Sequence, residues 1–241
     1  MPPRPTMMTY IRIGSITPID IGCGFNRTYV ICGIDEAGKG SVLGPMVVAG
    51  VLAPDMDIVA LTGVEDSKTL SRKRRELLYE VIMEKFLTAC TIISAQEIDR
   101  LRADITMNDI VARAHADVIR KLSCDTAYVD ACDVNAKRYG ETVSAYVGGV
   151  CQIVSEHKAD DRFPVVSAAS IIAKVTRDRC IEGLYKEFGN FGSGYPSDPY
   201  TIRFLETYIQ EFSRPPSCAR LSWETTRRIR DSLLQPSLFD F

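Results

Sequence analysis

Three short stretches of this chain place carboxylates where folded proteins seldom leave them unattended. In Asp35-Glu36-Ala37-Gly38-Lys39-Gly40, two acids follow the apolar run 29–34 and two glycines come directly after. An ionised carboxylate is costly to desolvate, so acids at the end of a buried strand need a partner. A divalent cation and an ordinary salt bridge both meet that need. The glycines let a backbone approach a ligand closely and offer N–H groups to hydroxyl or phosphate oxygens. In Tyr128-Val129-Asp130-Ala131-Cys132-Asp133, an acid again ends a short apolar run, and strand ends are where ligand crevices form. In Lys158-Ala159-Asp160-Asp161, acids precede the small-residue run 167–174. For Asp160 the alternative is a helix N-terminal charge interaction of about 0.3–1 kcal/mol. Only two histidines, His115 and His157, are present. The eight cysteines form no CxxC pair and sit mostly in apolar runs. Buried thiols in a reducing compartment suit them better than disulfides or zinc. Carboxylates must therefore carry any metal chemistry, and hard oxygen-ligated ions, Mg²⁺ or Mn²⁺, match them.

The elements that position these acids can be read from periodicity. Runs 29–34 and 46–52 predict strands. The glycine-rich connection between them is too short for a crossover helix, so they should pair antiparallel. Ser71 is placed to cap a helix reaching about Phe86, with Leu77, Leu78, Val81, Ile82 and Phe86 on one stripe. Strands are expected at 88–94, 126–129 and 151–154, and helices at 107–122, 166–188 (closed by Gly189), 201–212 and 222–234. A hairpin followed by alternating helix and strand implies an α/β fold, a mixed sheet flanked by helices. Residues 1–27 show neither period and are expected to be an N-terminal extension whose composition is compatible with disorder.

The 241 residues suit one large domain, or one with a small appendage. A net charge of −2 does not announce a nucleic-acid binder, but the basic residues cluster. Arg72-Lys73-Arg74-Arg75 form one group; Arg214, Arg220, Arg227, Arg228 and Arg230 crowd the C-terminal part. Such groups can track phosphates or simply solvate helix faces. No apolar run approaches the roughly 18–20 residues of a membrane span. No sustained apolar stretch follows the first basic residues, so a secretory signal is not expected and a cytoplasmic location is.

Together these segments resemble ribonuclease HII of the archaeal type. The motifs are Asp35–Gly40, Asp66-Ser67-Lys68, Asp130 in its strand, 158–161, 167–174 and Gly192-Ser193-Gly194-Tyr195-Pro196-Ser197-Asp198. They keep the family's order from about residue 29 to 234. The resemblance implies a ribonuclease H-like catalytic domain at 28–198 and a C-terminal helical segment at 199–234. It implies Asp35, Glu36, Asp130 and Asp160 as catalytic and metal-binding acids, with Asp133 and Asp161 as neighbours that could be confused with them. Adjacent strand residues point to opposite faces. Asp35 and Glu36 should therefore share a metal pair only if the strand ends or twists there, which Gly38 and Gly40 would allow. Gly38-Lys39-Gly40 stands where the family has Gly-Arg-Gly and reads the ribose 2′-hydroxyl through its backbone; lysine forgoes a bidentate phosphate contact. Tyr195 resembles the family tyrosine that stacks at the ribo–deoxyribo junction, a core tyrosine being the alternative. Lys68 resembles a phosphate-binding residue; Lys174 is a weaker candidate for the site.

The implied activity is endonucleolytic hydrolysis of RNA in RNA–DNA hybrids, and of ribonucleotides embedded in duplex DNA. It would use two divalent ions and leave 5′-phosphate and 3′-hydroxyl ends. The competing readings are an inactive nucleic-acid-binding adaptor of the same fold and a DNA junction nuclease. The tail 235–241, with Gln235, Leu238 and Phe241, looks like a peptide that binds the replication sliding clamp. Folding back onto the domain is the alternative for the tail.

Overall fold

The computed structural model describes residues 8–12, 29–64 and 70–234. Lys68, with Asp66 and Ser67, and the tail residues Gln235, Leu238 and Phe241 lie outside the described residues. In chain order the strands are β1 (Met8–Arg12), β2 (Ile31–Ala37), β3 (Met46–Ala53), β4 (Leu87–Ile93), β5 (Thr126–Asp130) and β6 (Gln152–Glu156). The helices are α1 (Met56–Ala60), α2 (Arg72–Lys85), α3 (Ala95–Arg102), α4 (Met107–Leu122), α5 (Ala136–Val147), α6 (Ala159–Arg162), α7 (Pro164–Phe188), α8 (Pro199–Phe212) and α9 (Glu224–Leu234). The strands form one mixed sheet in the order β1-β4-β3-β2-β5-β6. As expected, β2 and β3 pair antiparallel; β5 and β6 extend the sheet in parallel beside β2.

Two helical layers cover the sheet. Along β2, Ile31 and Ala37 pack toward α7, while Cys32 and Ile34 pack toward α4 and α5. This is the period-2 alternation of a strand buried on both sides. The small residues of α7 serve close packing. A Cβ on Gly33 would stand 2.2 Å from the Val165 carbonyl carbon, so helix backbone and strand backbone touch there. A third apolar cluster joins Val42, Leu43, Phe191, Leu205, Ile209 and Ile229, docking α8 and α9 beside the loop that follows β2.

Local signals set several boundaries. Ser71 Oγ accepts from the Arg74 N–H, 3.3 Å away, as its type and place predicted. The Gly189 N–H closes α7 on the Tyr185 carbonyl. Other elements went unread in the sequence. Residues 8–12 were expected to lack a strand, yet β1 pairs with β4 from Met8↔Ile92 to Arg12↔Thr88. An edge strand offers unpaired backbone groups to any segment, so five residues can join it without a legible period of their own. Helix α5 was also missed, although parallel strands β5 and β6 require a crossover and usually a helical one. Among the described residues, no helix is long and apolar enough to cross a membrane.

Candidate active site

The parallel pairing of β2 with β5 stops at Ile34↔Val129. Beyond that rung β2 continues against β3 as far as Ala37↔Val47, and β5 against β6 as far as Asp130↔Glu156. The two strands therefore part where Asp35, Glu36 and Asp130 begin. This is a crevice beyond the carboxyl ends of parallel strands, a usual place for ligands. Of the two conditions expected at the acids, an end or a twist of the strand, the end is ruled out, because β2 runs on through Ala37. Asp35 lies on the α7 face and Glu36 on the α4 face; the loss of the β5 rung opens the space both border.

Charge is crowded in this crevice. Burial, then Glu36, then Asp130 hold the Asp35 carboxyl well above the usual carboxylate range. A 2.7 Å bond from the Glu36 N–H and the charge of Lys174 act in the opposite direction without cancelling the rise. Asp130 Oδ1 accepts from the Ala159 N–H at 3.0 Å, tying α6 to β5 and bringing the next residue, buried Asp160, to the same strand end. The turn into α6 needs Lys158 in the left-handed region at φ 55°, which costs a non-glycine residue roughly 1 kcal/mol. Asp133 is set apart. Its Oδ1 accepts from the Asn135 N–H at 3.1 Å and from Arg138, and these bonds lower its pKa. Among the described residues no three acids, histidines or cysteines already converge as a metal-binding set. The carboxylates are drawn instead to donors of the protein: Asp35 to the Glu36 N–H, Glu36 to His115, Asp130 to Ala159. The hard anionic donors and the raised Asp35 fit a divalent cation, which would relieve the repulsion that burial intensifies.

Next to the acids, the chain turns through Gly38 at φ 85°. A Cβ there would lie 2.5 Å from Arg177 Nε and 2.7 Å from the Pro45 carbonyl oxygen. The Gly38 N–H donates to Tyr195 Oη at 3.1 Å, and the Arg177 guanidinium lies 4.5 Å from the centre of the Tyr195 ring. Tyr195 is half-buried against the glycine loop. Lys39 reaches across the crevice to donate to the Cys132 carbonyl at 2.8 Å, so its ammonium links the glycine loop to the segment after Asp130. A Cβ on Gly40 would meet open space, leaving the loop's outer side accessible. Lys174 donates to Ser170 Oγ at 2.6 Å on α7 and acts on Asp35 through its charge.

The sequence model of the family described as ribonuclease HII matches residues 32–226. The chain belongs to the ribonuclease HII family. A ribonuclease HII of Methanospirillum hungatei JF-1 is 56% identical over 212 residues, covering 88% of this chain and all of that protein. The structure described as the PCNA:RNase HII complex from Archaeoglobus fulgidus is similar with a TM-score of 0.77 at 44% identity, over 88% of this chain and 100% of that one. A ribonuclease H2 from Pyrococcus horikoshii OT3 gives a TM-score of 0.80 at 36% identity, over 86% and 100% of the two chains. The fold, the archaeal resemblance and the enzyme class, a ribonuclease H, stand as the sequence implied. The adaptor and junction-nuclease readings are not favoured. The family depends on divalent metal ions.

For a ribonuclease HII built this way, two buried groups matter that the sequence did not reveal. Arg220 belongs to the basic group expected either to track phosphates or to solvate a helix face, but it is fully buried. Its guanidinium donates to the carbonyls of Gly38 at 2.6 Å, Lys39 at 2.7 Å and Gly44 at 3.1 Å, and it lies 4.8 Å from the Trp223 ring centre. Burial and then Arg177 bring its pKa down to about 9, which leaves it charged at neutral pH. The backbone joins in: Arg220 N–H bonds the Val42 carbonyl, and Gly44 N–H bonds that of Cys218. The second group is His115, whose Nε2 lies 3.2 Å from Glu36 Oε2. A lone histidine in an apolar helix gave no sign of that contact.

Proposed function

We propose that the chain is an endoribonuclease that hydrolyses the RNA strand of RNA–DNA hybrids and ribonucleotides embedded in duplex DNA, leaving 5′-phosphate and 3′-hydroxyl ends. One juxtaposition carries this reading: the crowded carboxylates at the parting of β2 and β5 lie directly beside a glycine turn whose N–H is bonded to Tyr195. A hydrolytic centre therefore adjoins a surface suited to a ribose.

Two divalent cations, Mg²⁺ or Mn²⁺, held by Asp35, Glu36, Asp130 and Asp160, would activate the attacking water and stabilise the leaving 3′-oxygen. The remaining work falls to the chain itself. Gly38, Lys39 and Gly40 present backbone to the sugar, and the 2′-hydroxyl is what separates RNA from DNA. Tyr195 offers a ring on which the nucleotide beyond the ribose can stack, held in place by Arg177 above it and the Gly38 N–H at its hydroxyl. Lys68 would take a substrate phosphate. No histidine is required as a base, and His115 is enclosed behind Glu36.

A labelled duplex with one embedded ribonucleotide, compared with all-DNA and all-RNA duplexes in Mg²⁺ and in Mn²⁺, tests the reading. Cleavage at the ribonucleotide alone is expected. Cutting of the all-DNA duplex, or no cutting in either metal, would overturn it.

We also assign the tail 235–241 to the replication sliding clamp, through Gln235, Leu238 and Phe241. Support comes from the Archaeoglobus relative, described in complex with PCNA. A peptide of residues 231–241 should bind the clamp at about micromolar affinity, as short motifs that order in a groove do. Calorimetry showing no heat, or heat unchanged when Leu238 and Phe241 become Ala, removes the assignment. A cytoplasmic location accords with the seven cysteines of the described residues, which are free thiols as a reducing compartment requires.

A further inference from the structure

Glu36 is the acid that β2 turns away from α7, and a chain of buried polar groups meets it on the far side of the sheet. His115, on α4, is fully buried, and its Nε2 stands 3.2 Å from Glu36 Oε2. Its Nδ1 stands 3.1 Å from Tyr139 Oη, and Tyr139 of α5 is itself 2% exposed. The two rings meet edge to face with centroids 5.7 Å apart. Cys132, two residues beyond Asp130, packs against the same cluster as Tyr139, and the Cys132 carbonyl receives Lys39. The hydrogen-bonded chain thus runs from the acid on β2 through His115 of α4 to Tyr139 of α5.

Hydrogen-bond chemistry gives this chain a direction. A carboxylate only accepts, so the proton between Glu36 and His115 must sit on Nε2. In neutral imidazole Nδ1 is then the acceptor, and the Tyr139 hydroxyl completes the pair by donating to it. Tyr139 therefore selects the tautomer that lets His115 hold Glu36. A fully buried imidazole needs a partner at each ring nitrogen; Tyr139 serves one, and an acid of the crevice serves the other.

We propose that His115, oriented by Tyr139, is a positioning residue for Glu36. It fixes one carboxylate oxygen, so that the other meets the cation without a search among rotamers. The proposal rests on Glu36 being a metal ligand, as assigned above. Hydrogen bonds that orient ligands from behind typically contribute 10–100-fold in metal affinity or activity.

The test is Mn²⁺ titration calorimetry on the substrate-free full chain, joined to the Mn²⁺ dependence of hybrid cleavage and to melting in EDTA. His115→Phe keeps the ring volume and removes the donor. It should weaken Mn²⁺ binding roughly 10- to 100-fold and raise the half-saturating Mn²⁺ by the same factor, with a smaller change in kcat at saturation. His115→Gln, which retains a side-chain N–H, should recover part of the loss. Tyr139→Phe, nearly isosteric, should shift Mn²⁺ affinity in the same direction by less, and it decides the matter if His115→Phe does not fold. A lower melting temperature in EDTA with unchanged Mn²⁺ affinity in both variants would make the network merely structural and overturn the proposal. Glu36→Gln separates the two levels. If it weakens Mn²⁺ binding while His115→Phe does not, positioning alone fails; if it too leaves the titration unchanged, the ligand role of Glu36 fails and the proposal with it.

Discussion

On one side of the crevice, Asp35, Glu36 and Asp130 stand at the ends of neighbouring parallel strands, where the β2–β5 ladder stops. On the other, loop 38–44 is held by residues far along the chain: Tyr195 meets Gly38 across 157 positions and Arg220 meets it across 182. The acid side is under-neutralised. Burial and like charges raise Asp35, and the opposing charge of Lys174 does not cancel them. The loop side is braced by the protein, with one buried guanidinium spread over three carbonyls and backbone bonds from two segments. A region awaiting a ligand strains the fold, whereas a region completed by the protein supports it. Changes on the acid side should therefore remove function and spare stability, and changes on the loop side should remove both.

Asp130→Asn gives the sharpest test of the first half of that contrast. Asn keeps an acceptor for the Ala159 N–H but loses the charge, so hybrid cleavage should fall by roughly three to four orders of magnitude. Single-turnover assays at saturating Mn²⁺, with melting within a few degrees of the parent, check it. Near-normal turnover would take Asp130 out of the site.

Arg220→Ala addresses the second half. It strands the carbonyls of Gly38, Lys39 and Gly44 and opens a cavity under Trp223, at a cost of about 3–5 kcal/mol. For a chain of this size that is a Tm drop of roughly 10 °C. Lysine should not restore it, since a single ammonium cannot span the three acceptors. A parent-like melt would mean that the loop holds its own shape.

Tyr195→Ala should act more mildly, by about 1–3 kcal/mol, the worth of stacking on an aromatic ring. Cleavage at a single ribonucleotide should suffer more than affinity for the duplex. An unchanged junction rate would return Tyr195 to a packing role.

The last test concerns sign more than size. With the folded Asp35 pKa raised above its unfolded value, its stability contribution is fully present below the unfolded pKa, near 4. It is lost as pH rises through the folded value. Asp35→Asn should thus melt higher than the parent at pH 7 in EDTA, with the gap closing toward pH 4 and the parent regaining ground when Mn²⁺ is added. Equal melting across that range would show that the carboxyl is not strained by burial.

The sequence alone determined the features that depend on neighbours in the chain. Strand β3, helices α2 and α4, the Ser71 cap and the placement of Asp130 at a strand end all follow from periods of 2 and 3.6 residues and from capping chemistry. The family resemblance rested on short motifs of the same local kind. Only the tertiary structure decided which distant groups meet. Arg220 looked like surface charge and proved to be the largest fully buried side chain among the described residues. His115 looked like one polar residue in an apolar helix and proved to touch Glu36 from 79 positions away. Strand β1 exists through the open edge of β4 rather than through any pattern of its own. Local pattern fixes which face a residue presents, but what that face meets depends on how the layers pack, and packing is settled by the whole chain at once.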